Sequence, residues 1–180
     1  LQNSWDPVAL EAAAEYQRLA VSHGINPDAD LLEEVEAIEP PPMEQGRTRA
    51  ALVQVRVNQA RFRRAVLASY NARCCMCGLA VPSLLIASHI VPWVVDHKNR
   101  LNPRNGLCLS ALHDKAYDKG LITVLPNFTI RVSPELRSVQ TDDFTKTAIA
   151  AFDGRSIQLP ERFKPDEAFL AAHAQRFGFL

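Results

Sequence analysis

The chain has 180 residues, 47% of them apolar and 22% charged, and its 20 basic and 20 acidic side chains cancel at neutral pH. This is the composition of a soluble globular domain, long enough for one core and a short appended arm. It excludes a transmembrane helix, since no apolar run approaches the roughly 18 residues that one needs, and no secretion leader is expected, since the first residues carry acids rather than a basic start.

The balanced total hides a partition. Residues 1–46 hold ten acids and one base, whereas residues 47–119 hold twelve bases and three acids. The seven arginines from Arg47 to Arg73 have no acid among them. A basic block of this kind suits a polyanionic backbone. Two units are therefore expected: an acidic helical arm and linker over 1–46, and a basic globular domain over 47–180.

In chain order, Asp6-Pro7 starts a first helix that stops at Gly24, and Asn26-Pro27 starts a second that ends at Glu39-Pro40-Pro41-Pro42. Alternation of Val53, Val55 and Val57 predicts a strand over 52–57, with Asn58 capping a helix over 59–71. Phe62, Val66 and Tyr70 are spaced by four and would face the core, leaving Arg61, Arg63 and Arg64 elsewhere on the helix. A short aliphatic run, Leu84 to Ala87, reads as a strand with His89 at its exposed end. Asn105-Gly106 marks a turn before a second strand, Leu107 to Leu109. His113 falls in a helix from Ala111 to Lys119 that stops at Gly120. Strand, loop, strand and helix would bring His89, Asn105 and His113 to one mouth. Beyond them lie a hairpin over 121–132, which could extend the same sheet, a helix ending at Asp153-Gly154, and a last helix from Pro165 to Gly178. His173 there is expected to pack rather than to bind.

Cys74 and Cys77 have C-x-x-C spacing, and Gly78 permits the tight turn of a metal knuckle. Cys108 is a third candidate, but a structural zinc normally takes four ligands and no fourth is evident. Buried reduced cysteines are expected instead of structural Zn2+, as suits a cytoplasmic protein.

Six motif pieces stand in order: Gln59-Ala60-Arg61-Phe62-Arg63, the Tyr70–Cys74 segment, Ala87 to Trp93, Asn105-Gly106-Leu107, His113-Asp114, and Asp118 to Ile122. Together they resemble the HNH endonucleases, whose catalytic unit is a ββα-metal finger. Within that family the set is most similar to the nuclease modules of modification-dependent restriction and phage-defence enzymes.

The resemblance implies an α+β fold: an HNH finger with flanking helices, followed by a C-terminal hairpin and helices. It implies a metal-dependent endonuclease hydrolysing DNA phosphodiester bonds, with His89, Asn105 and His113 catalytic. His89 matches the general base, His113 the last histidine, usually a metal ligand, and Asn105 the residue that orders the loop or, in some relatives, binds the metal. One Mg2+ or Mn2+ is the expected cofactor. The position before the base often carries a metal ligand, but here it is Ser88, so Asp114 and Asp118 become further ligand candidates. Arg61, Arg63, Arg64, Arg100 and Arg104 are the candidate contacts to DNA, which is expected to be double-stranded. A homodimer, or a recognition or sensor domain beyond these residues, is the further partner expected. The alternative is a non-catalytic nucleic-acid-binding module on the same scaffold, which Ser88 favours and the intact His89, Asn105 and His113 set disfavours.

Overall fold

The computed structural model describes residues 47–138 and 142–180. The expected acidic arm over 1–46 lies outside the described residues. No helix among the described residues is long and apolar enough to cross a membrane.

The first element is one continuous helix, α1, Arg47–Ser69. The strand expected over 52–57 is therefore a correction. The valine alternation is only three residues deep, while Arg47–Ser69 contains neither glycine nor proline and is rich in alanine and arginine. Helix formation is cooperative along such a run, so many good formers outweigh a few β-branched residues. Asn58 accordingly lies within the helix rather than capping it. The four-residue spacing does set the buried face, with Phe62, Val66 and Tyr70 at 2%, 0% and 6% exposure. The helix closes with Asn71 and Ala72 in the left-handed region and Ala72 N–H on Leu67 O at 2.8 Å.

That turn feeds the Cys74–Gly78 knuckle, where Gly78 N–H donates to Cys74 O and Cys74 N–H to Leu79 O, both at 2.9 Å. Gly78 has φ +75°, which explains a glycine at this point. Strands β1, Leu85–His89, and β2, Gly106–Ser110, then pair antiparallel, with Leu85 opposite Ser110 and His89 opposite Gly106. Helix α2, Ala111–Asp118, follows directly, with Ser110 as its N-cap accepting from His113 N–H. Gly120, at φ +68°, ends that segment. The two strands and α2 make a ββα unit, and α1 packs on the hairpin face opposite α2.

The second hairpin, β3 (Ile122–Val124) and β4 (Ile130–Val132), forms its own two-stranded sheet rather than extending the first. Three short α-helices and one 3-10 turn, Ala150–Phe152, complete the chain: α3 (Pro134–Ser138), α4 (Asp143–Ala148), and α5 (Glu167–Arg176). Helix α5 docks on β3 through His173, which stacks on Tyr117 at 3.6 Å and bonds Thr123 Oγ1 through Nδ1 at 2.8 Å. Burial lowers the His173 pKa to about 4, so it is a neutral packing residue. The core joins all of these, with Leu67, Leu107, Leu109, Tyr117, Ile130 and Leu170 fully buried.

Gly106 is a glycine for reasons of space. Its φ of −132° is ordinary strand geometry, but a Cβ there would overlap Val66 and stand 2.9 Å from Phe62 Cζ. Gly106→Ala should therefore force α1 away from β2 and cost about 1–3 kcal/mol, the usual price of overpacking. Thermal denaturation checks this; an unchanged melting temperature would mean that α1 sits less tightly on β2.

Candidate active site and metal centre

His89 closes β1 with its ring stacked on Phe62 at 3.7 Å and meeting the edge of Trp93 at 5.6 Å. Its Nε2 lies 3.0 Å from Arg100 O. A carbonyl only accepts, so Nε2 carries the proton and Nδ1 is left as a bare lone pair. Burial holds the His89 pKa below its ordinary value, although the bond to Arg100 O works the other way. The ring is thus a neutral, oriented proton acceptor.

Asn105 orders the loop that supplies this carbonyl. It is 1% exposed, with Oδ1 accepting from Val91 N–H at 2.8 Å and Nδ2 donating to Val91 O at 3.1 Å and Asn99 O at 3.4 Å. Both ends of the carboxamide are committed to backbone, which is the loop-ordering geometry and leaves no oxygen aimed at a cation.

His113 is not beside His89. It sits in the first turn of α2, with Nδ1 2.9 Å from Ser110 Oγ, and Ser110 pairs with Leu85 at the far end of β1 from His89. Four strand steps separate the two ends, about 13 Å. The expectation that all three motif residues share one mouth is thus corrected: His89 and Asn105 meet, and His113 faces the knuckle. Its Nδ1 lies 3.6 Å from Cys74 Sγ and its Nε2 2.8 Å from Ala148 O. The ligand atoms of Cys74, Cys77 and His113 all lie within 4.8 Å of one another.

This trio fits a metal. Nε2–H on a carbonyl fixes the tautomer and presents Nδ1 as a ligand, the usual support for a metal-bound histidine. Burial would raise the Cys74 thiol, but the bond to His113 and several backbone N–H groups lower it to about 6, into thiolate territory. Burial likewise opposes charge on His113, and the Cys74 thiolate outweighs it, raising the imidazole pKa. Two sulfurs and an imidazole are a zinc-type donor set. Cys108, the third candidate from the sequence, is not in the group; burial pushes its thiol up to about 12. Neither Ser110 nor the Cys74–His113 pairing was expected. The only sequence signal is that Ser110 and His113 fall three apart across a helix start.

On the α2 side of the hairpin, Ser88 is 3% exposed and its Oγ has no hydrogen-bond partner of good geometry. It lies beside Asp114. Burial and the charge of Asp118 hold the Asp114 carboxyl above its ordinary value, against the pull of Ser88 and Lys115. Asp114 and Asp118 lie one helical turn apart, so both carboxylates reach the same face.

The expected DNA-contacting arginines divide. Arg61 is exposed on α1 and Arg104 is largely exposed, pairing with Asp166 at 3.2 Å. Arg100 covers Trp93 at 5.0 Å and donates to Trp93 O at 3.1 Å. Arg63 holds the start of β1, donating to Leu85 O at 2.6 Å and Pro82 O at 3.2 Å. Arg64 is half-buried.

A family model described as HNH endonuclease matches residues 74–125, from the knuckle through β3. No curated protein matches the chain.

Proposed function

We propose, from the match of residues 74–125 to the HNH endonuclease family model, that this chain is a metal-dependent nuclease that hydrolyses DNA phosphodiester bonds with His89 as general base. The observation that carries the proposal is the His89 imidazole, neutral, stacked, and fixed through Nε2 on Arg100 O so that Nδ1 is free to take a proton. A water activated there attacks phosphorus. The bond to Arg100 O, strengthened as the ring becomes charged, steadies the imidazolium that results. Asn105 keeps that carbonyl in place by pinning Val91 and Asn99.

Asp114 and Asp118 are the residues that would hold Mg2+ or Mn2+, next to the buried Ser88 hydroxyl. Such a cation, when bound, neutralises charge on the phosphate and on the leaving oxygen. Cys74, Cys77 and His113 would hold a separate structural Zn2+, joining the knuckle to α2. A restriction or phage-defence module working in the cytoplasm is the biological role that the ordered motif set supports.

Asp114→Asn removes the charge and keeps the shape. It should raise the Mg2+ concentration needed for half-maximal cleavage of a labelled duplex by at least about tenfold, the scale on which ligand-shell changes act. An unchanged metal requirement would move the cation elsewhere. Tight duplex binding by the wild type, with no cleavage in any divalent metal, would favour the non-catalytic scaffold that Ser88 makes conceivable.

A further inference from the structure

The loop between β1 and β2 carries the two most exposed large aliphatic side chains among the described residues, Val94 and Val95, at 76% and 69%. Single exposed valines are ordinary. An adjacent pair at the tip of a fastened loop, a few residues from a catalytic histidine, is not. Val95 N–H and Asp96 N–H donate to Pro92 O at 2.9 Å and 3.2 Å, closing the turn that presents the pair. Asp96 Oδ1 accepts from Lys98 N–H and Asn99 N–H, and its Oδ2 accepts from Asn99 Nδ2 at 2.6 Å. Arg100 clamps Trp93, and Asn105 clamps Val91. The valines are held out in water at no further ordering cost to a partner.

The surroundings identify that partner. Lys98 and Arg100 lie in the same loop, with Arg104 paired to Asp166, and its single acid, Asp96, is occupied by backbone amides. Cations around an apolar tip complement a polyanion whose interior is apolar, which describes a stacked duplex. Trp93, edge-on to His89, ties the tip to the base.

Resting on the nuclease reading, we propose that Val94 and Val95 form a wedge that presses into a base step of double-stranded DNA, unstacking it and turning the neighbouring phosphate toward His89. Apolar side chains inserted between base steps kink a duplex in this way. Substrate choice would then follow deformability: easily unstacked steps, mismatches and nicks should be cut faster than stiff tracts.

The experiment uses the full chain and its Val94→Ser/Val95→Ser variant, whose changes lie on an exposed tip and leave the core intact. Duplexes carrying 2-aminopurine at successive positions are bound in EDTA at low salt, so the signal does not depend on cleavage. The wild type should raise 2-aminopurine fluorescence severalfold at one or two positions, and the double variant should not. With Mg2+ present, the variant should cut intact duplex roughly tenfold more slowly, yet cut a duplex with a two-base mismatch at close to the wild-type rate. Equal fluorescence from both proteins, no rise with bound wild type, no binding of wild type, or equal slowing on both substrates would overturn the wedge. A fluorescence rise without cleavage in any metal would instead sink the nuclease reading and leave the wedge standing.

Discussion

His89→Ala should yield a folded chain that binds DNA and scarcely cuts it. The imidazole is the one neutral acceptor in the loop–hairpin site with a fixed tautomer and an unengaged nitrogen, and alanine supplies no substitute. A positioned acid–base group is worth roughly 10²–10⁴-fold in rate, and that loss should appear in single-turnover cleavage of a labelled duplex. Phe62 and Trp93 lose a ring contact, so the melting temperature should fall only slightly. The pH profile gives a second check. Burial lowers the His89 pKa, so its basic form persists to lower pH than in an ordinary histidine. Wild-type rate should fall as pH drops through that depressed value and be level near neutrality. The alanine variant should lose this step.

His113→Ala should do the opposite: cost stability first and activity only as a consequence. The side chain is 3% exposed, and its loss strips the partner from Cys74 Sγ, Ser110 Oγ and Ala148 O together. A cavity with buried polar groups left unpaired costs about 3–5 kcal/mol. Loss of the Zn2+ proposed for this site would add to that, because metal affinity for a folded site is folding free energy. Bound zinc measured with a chromogenic chelator should drop from one per chain to none, and the melting temperature should fall steeply. A chelator that strips zinc from the wild type should reproduce part of that fall and leave the variant unmoved. Any residual cleavage should keep the wild-type Mg2+ requirement. A stable variant with a weakened Mg2+ requirement would return His113 to the role its motif suggests.

These two histidines also mark how far the sequence could be read. Local patterns carried well: the aliphatic run into His89, the turn at Asn105-Gly106, the helix stop at Gly120, and the four-residue spacing of Phe62, Val66 and Tyr70 all reflect forces acting within a few residues. The strand expected over 52–57 is helix because the long helix-forming run around three alternating valines outweighs them. The site departs from expectation for another reason. Linear order groups His89, Asn105 and His113, but strand register decides which end of the hairpin each occupies, and Ser110 opposite Leu85 carries His113 to the far end. Cys74 and His113 are 39 residues apart, so no spacing rule joins them, whereas the nearer-looking Cys108 lies outside the group. Arg63 looked like one of several surface cations because the carbonyls of Pro82 and Leu85 that occupy it are invisible without the fold.

The central claim is that this chain breaks phosphodiester bonds at His89. Its most direct test is the nicking of supercoiled plasmid by the wild type in Mg2+ or Mn2+, with an EDTA lane and the His89→Ala protein beside it. Open-circular DNA should accumulate with wild type and metal, and the plasmid should stay supercoiled with EDTA or His89→Ala. Nicking by His89→Ala at the wild-type rate, or a plasmid left intact by the wild type in every metal, would contradict it.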